Sequence, residues 1–137
     1  MAPPPKTKRS RRGAAVVEFA VCLPLVVLLM LGMIELGRGV MVQHTMQEAA
    51  QAGCRVYSAR DTTIDQAEAV ISEAMTRAGI SNYAVTYDPP TKAAMNVHLA
   101  PVTVSISVAY ADVAWVTPNY LMGASVDGRC ILPADVD

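Results

Sequence analysis

Between Gly13 and Glu35 the chain carries a single charge, Glu18, in a stretch otherwise made of apolar and small residues, and the rest of the fold must accommodate that stretch. Residues 14–34, as a helix rising about 1.5 Å per residue, would span roughly the 30 Å of a bilayer's hydrocarbon core. Five cationic side chains stand before it: Lys6, Lys8, Arg9, Arg11 and Arg12. The formal net charge of -1 hides an asymmetry, because the first 13 residues carry +5 and the rest -6. Basic residues flanking a span stay on the cytoplasmic side, so the amino terminus is expected inside and the bulk of the chain outside.

Composition fits one span plus one small domain: 53% of the 137 residues are hydrophobic and the mean hydropathy is +0.31. That value is high for a soluble domain and low for a multi-pass protein. The expected organisation is a basic cytoplasmic leader at 1–13, a transmembrane helix at 14–36 and an extracytoplasmic domain at 37–137. A cleaved secretory signal shares the basic start but needs a small-x-small cleavage site just past the apolar run. Gly37 and Gly39 flank Arg38 there, yet the apolar core is longer than a typical signal's, and no Ala-x-Ala occurs before Ala50-Gln51-Ala52. The basic tail with Pro3-Pro4-Pro5 could also form a nucleic-acid or anionic-lipid arm. It lacks interleaved aromatics and reads better as a topology signal, so no nucleic-acid partner is expected.

Beyond Arg38 the pattern turns amphipathic. Val42, Met46, Ala49, Ala50, Gly53 and Tyr57 recur at three- and four-residue intervals, which extends the helix as a stalk to about Ser58. Pro24 removes one backbone donor and is a candidate kink. Small residues at Gly32, Gly39, Ala49 and Gly53 would let another helix approach closely. Thr63 and Gln66 have the spacing of a capping box, followed by an apolar stripe of Ile64, Ala67, Ile71, Ala74, Met75 and Ala78, with Gly79 as terminator. Glu73 and Arg77 can pair one turn apart.

After Gly79 the period changes to two. Tyr83, Val85 and Tyr87 alternate before Asp88-Pro89-Pro90. Met95, Val97 and Leu99 alternate before Pro101, which would put His98 in a strand. Val102 to Tyr110 alternates against Thr103, Ser105 and Ser107, and Ser125 to Leu132 could pair with it. Residues 112–122, including Trp115 and Tyr120, suggest a loop with a helical turn. The expected class is α+β: a long amino-terminal helix, a second amphipathic helix and a small antiparallel sheet.

No constellation for catalysis can be assembled. His44 and His98 have no metal-ligand spacing with one another, and there is no phosphate loop, nucleophile elbow or nucleophile-base pair. The chain reads as no enzyme, with no cofactor and no metal. Cys22 lies within the apolar run as a small filler. Cys54 and Cys130 both fall outside the membrane in this topology, where they could form a disulfide. Spacing alone leaves that bridge and a pair of buried free thiols equally open, since it supplies no distance.

Glu18 is the residue that needs explaining. A charge near the middle of a membrane helix costs about 2.5–3.5 kcal/mol, so an acid in such a segment points to function. The bland alternative is a carboxylate near the interface that reaches for water. The run Gly13-Ala14-Ala15-Val16-Val17-Glu18-Phe19, with Pro24 and then Gly32-Met33-Ile34-Glu35-Leu36-Gly37-Arg38, resembles the signature of TadE-like proteins, minor pilins or pseudopilins of the tight adherence (Tad) type IV pilus system. The likeness covers roughly the first 55 residues; the remainder is similar only in size and general pattern.

That resemblance implies a pilin-like fold and cleavage after Gly13 by a prepilin peptidase, with Glu18 at the fifth mature position and Phe19 at the sixth. It implies that the new amine of Ala14 pairs with Glu18 to guide assembly, and that Pro24 loosens the helix as the subunit leaves the bilayer. It further implies other pilins and the assembly platform as partners. The location would be the bacterial inner membrane, single-pass with the carboxy-terminal domain periplasmic, or a surface pilus, and the role would be pilus assembly or adhesion. The alternative is an unprocessed, membrane-anchored envelope protein whose outer domain binds a partner.

Overall fold

The computed structural model describes residues 9–95, 97–114 and 123–135. They form an α+β arrangement of a long helix, a second helix and a three-stranded antiparallel sheet. The chain divides into two compact units, Met1–Ile34 and Glu35–Asp137.

Helix α1 is Arg9–Ser58, assigned without interruption through Pro24. Pro24 has no N–H to offer the carbonyl of Ala20, so one rung of the ladder is missing there. Within the first unit the apolar side chains have no core of their own: Val16, Phe19, Val21, Leu28 and Met33 are all exposed. Among the described residues, α1 is the one helix long and apolar enough to cross a membrane, and its most apolar window is not buried by protein. An unburied apolar face on this scale needs lipid or partner helices around it.

The core lies in the second unit, and its helical part follows the amphipathic pattern. Val42, Met46, Ala49, Ala50, Cys54 and Tyr57 of α1 are buried. Helix α2, Ile64–Arg77, buries Ala67, Ile71 and Met75 in the same core. Its start is fixed by the reciprocal cap: Gln66 N donates to Thr63 Oγ1 at 3.3 Å and Thr63 N donates to Gln66 Oε1 at 3.0 Å. Its end is closed by Ile80 N donating to Met75 O at 2.9 Å across Gly79, whose φ of 72° favours glycine. Glu73 and Arg77 pair at 2.7 Å on the exposed face, a contact worth a few tenths of a kcal/mol, about 0.3–0.5.

The close approach of small residues occurs within the second unit. A β-carbon on Gly53 would overlap Ile71 Cδ1, so this position admits α2 against α1. Gly32 has nothing within 4 Å.

The sheet order is β1-β2-β3, with β1 Ala84–Asp88, β2 Pro101–Ala109 and β3 Ser125–Pro133. Val102, Val104, Ile106 and Val108 of the central strand are buried. The register opposes Val85 to Ile106 and Val104 to Cys130. Strand β2 stops one residue earlier than the alternation suggests: Tyr110 begins the short helix α3, Tyr110–Val113, with its N–H on Ala124 O at 2.9 Å. The expected turn around 112–122 is met in part by α3, while Trp115 and Tyr120 lie outside the described residues.

One expected strand is corrected. Met95, Val97 and Leu99 do not form a strand, and His98 sits in a turn. A 3-10 turn at Lys92–Ala94 precedes them, and Leu99 adopts φ 62°, which no strand allows. The segment is held instead by Leu99 N on Ala134 O at 2.9 Å and Ala134 N on Ala100 O at 2.8 Å. Only Met95 is buried; Val97 and Leu99 are exposed, so the alternation had no buried face behind it.

Candidate functional site

The amino-terminal motif lies entirely on α1. Gly13, Ala14, Glu18 and Phe19 are exposed, and Ala14 stands one helical turn before Glu18. A β-carbon at Gly13 would meet nothing within 4 Å, so no packing in the described structure demands glycine there. Among the described residues Glu18 makes no hydrogen bond or ion pair. A carboxylate left without a partner among exposed valine, leucine and phenylalanine side chains is costly in a low-dielectric surrounding.

The second carboxylate bounding the apolar run is treated differently. Glu35 is 7% exposed and accepts the Tyr110 hydroxyl proton at Oε1, 3.2 Å away. One turn on, Arg38 Nε donates to the Val113 carbonyl. Burial, then the Glu35 charge and hydrogen bond, raise the Tyr110 phenol above its ordinary value. A β-carbon at Gly39 would sit in ordinary contact, 3.9 Å from Tyr110 Cε2, so the ring's position does not require glycine there. A cleft of about 380 Å³ runs beside this group, with Gln43 and His44 on its wall. From the sequence, Glu35 reads only as the end of a hydrophobic run. Its Tyr110 partner is 75 positions away, and no local pattern announces it.

Farther along, α1 tracks the outer edge of β3. Gln43 Nε2 donates to Asp127 O at 3.0 Å, Gln47 Nε2 donates to Arg129 O at 2.8 Å, and Arg129 N donates back to Gln47 Oε1 at 3.3 Å. Two glutamines four residues apart thus satisfy backbone groups of an otherwise open edge. Gly128 is required between them: a β-carbon there would lie 2.5 Å from Met46 C and 2.9 Å from Gln47 N.

Cys54 and Cys130 come together where these elements converge. Cys54 is buried, Cys130 half-buried, and both are free thiols. Cys54 Sγ donates to Val102 O at 3.7 Å and meets the Cys130 thiol. Burial, then the Cys130 hydrogen bond and charge, push the Cys54 thiol up to about 12, against backbone hydrogen bonds at Val104 and Leu132 that lower it. Cys22 is exposed on the apolar part of α1.

At the end of α1, Tyr57 donates to Pro89 O at 2.7 Å and its ring lies 4.6 Å from that of Tyr87. Lys92 Nζ donates to Thr62 Oγ1 at 2.9 Å and to Ala59 O, and stands 5.5 Å from the Tyr57 ring centroid. Burial lowers the Lys92 ammonium, partly offset by Asp61. This cluster ties the end of α1 to the loop before the 3-10 turn. Among the described residues no group of three or more His, Cys, Asp or Glu could hold a metal ion.

Compared with known families, residues 13–55 match the model described as TadE-like protein. The match begins at the glycine of the motif and ends just past Cys54, so it spans the apolar run and the part of α1 that enters the core. Among curated proteins and among solved structures, none matches the chain.

Proposed function

We propose that this chain, TadE-like over residues 13–55, is a minor pilin or pseudopilin of a Tad-type pilus, made as a precursor and trimmed after Gly13 by a prepilin peptidase. The observation that carries the reading is the placing of Gly13, Glu18 and Phe19 at the start of both the family match and the exposed apolar helix. Gly13 is unconstrained by packing. That open backbone suits a protease that needs close access to it. Glu18, without a partner among the described residues, gains a cationic one when cleavage frees the amine of Ala14, on its own chain or on a neighbour's. In a low-dielectric surrounding that pairing strongly favours one register of subunit addition.

The subunit inserts with its basic leader in the cytoplasm and residues 37–137 outside the inner membrane, and passes from there into pilus assembly or adhesion. The assembly platform and other pilins are its partners.

Intact mass of the chain extracted from membranes of cells that carry the peptidase tests the reading. Loss of residues 1–13 is expected, and Gly13→Leu is expected to retain them. A wild-type chain that keeps its leader in such cells overturns the processing and leaves an anchored envelope protein with an outer binding domain.

A further inference from the structure

We propose that Cys54 and Cys130 are joined by a disulfide that ties α1 to β3 in the exported protein. The inference rests on the outward placement of residues 37–137 put forward above, because only an oxidising compartment sustains such a bond.

Three features of the packing bring the thiols together. First, α1 and β3 run alongside each other in fixed step, from Gln43 at Asp127 through Met46 at Gly128 to Gln47 at Arg129. Second, the alternation of β3 turns Val126, Gly128, Cys130 and Leu132 toward the core, and Gly128 shows that this is the face α1 covers. Third, Cys54 Sγ bonds the carbonyl of Val102, whose strand partner is Leu132, while the next inward residue of β2, Val104, is paired with Cys130 itself. The two thiols thus meet across one helix-sheet contact, within hydrogen-bonding reach of each other, and a disulfide needs such facing partners. A thiol is a weak donor and a weak acceptor, so the reduced pair gains little from the contact.

The chemistry balances with a dithiol-disulfide oxidase of that compartment as the oxidant. The Cys130 thiolate, half-buried and reachable, attacks the carrier's disulfide and releases one carrier thiolate. The Cys54 thiolate then attacks Cys130 Sγ, forming the S–S bond and expelling the second carrier thiolate. Two electrons pass to the carrier, and the two thiol protons go to solvent or to the carrier's sulfurs. Cys54 is fully buried and its thiol is held protonated in the finished fold. Oxidation therefore precedes complete docking of α1, and the finished bond is shielded from reductants. The link would fasten the last strand to the helix that continues into the membrane segment.

The test uses the full chain extracted from membranes, denatured without reductant and alkylated with a maleimide. One labelled cysteine, Cys22, is expected, together with a cross-linked proteolytic pair containing Cys54 and Cys130 at a mass two hydrogens below the free peptides. Cys130→Ser should take two labels, and reduction should lower the melting temperature by about 10 °C or more. Three labels on the wild-type chain overturn the bridge, as does a single label on Cys130→Ser. Protease added outside spheroplasts separates the two readings. Three labels on an outer domain digested from outside overturn the disulfide alone, whereas three labels on a protected domain overturn it together with the topology.

Discussion

Two carboxylates bracket the apolar run, and the contrast between them is chemical. Glu35 accepts from the Tyr110 hydroxyl inside the second unit, whereas Glu18 has no partner among the described residues. Glu18→Gln keeps size and hydrogen bonding but removes the charge, so membrane insertion should be unchanged or improved. Incorporation into sheared pili should fall about tenfold or more, because a charge-assisted hydrogen bond contributes about 1.5–3 kcal/mol. Immunoblots of pilus and membrane fractions check this. Equal incorporation of variant and wild type would remove Glu18 from assembly.

At the scale of elements, the contact between α1 and β3 is the most demanding in the second unit. Gly128 is a glycine because a helix backbone occupies the place of its side chain, and neither partner there is a flexible tip that could swing aside. Gly128→Ala should destabilise by about 2–3 kcal/mol, through overpacking against a rigid neighbour. Gln47→Ala removes two hydrogen bonds to a strand edge and should cost about 1–2 kcal/mol. Urea titration of the detergent-solubilised chain measures both. A Gly128→Ala chain within about 0.5 kcal/mol of wild type would show that the helix and strand can separate freely.

For the molecule as a whole, pH dependence follows from buried phenols. Burial raises Tyr57, Tyr87 and Tyr110, and Tyr87, with Glu68 and neighbouring tyrosines adding to burial, reaches about 12. A raised pKa means that the folded chain holds its proton where the unfolded chain has lost it. Their stabilisation is therefore complete below the ordinary value near pH 10 and is lost as pH rises toward 12. Lys92, lowered by burial, works in the opposite sense over the range below its ordinary 10.5, but it is one group against three. Thermal melts should fall progressively above about pH 10. Tyr87→Phe should lessen that fall without loss at neutral pH, since the Tyr87 hydroxyl is buried with no partner among the described residues. A melting temperature flat to pH 12 in the wild type would contradict this account.

Much of this protein was legible without coordinates because its signals are local. The span, the amphipathic continuation from Val42 to Tyr57, the Thr63 cap and the strands around 85, 105 and 129 each follow from a period or a cap within a few residues. So did the likeness of the amino-terminal motif, which the family match covers from Gly13. The alternation at Met95, Val97 and Leu99 misled for the same reason: period two is necessary for a half-buried strand, but only a neighbouring strand makes it one, and here the backbone bonds Ala134 instead. Tertiary structure alone decided that Glu35 meets Tyr110, that Gly128 must lack a side chain and that Cys54 faces Cys130. Each joins positions more than 70 residues apart, and such pairs are set by how α1 packs against the rest of its unit, which no local pattern encodes.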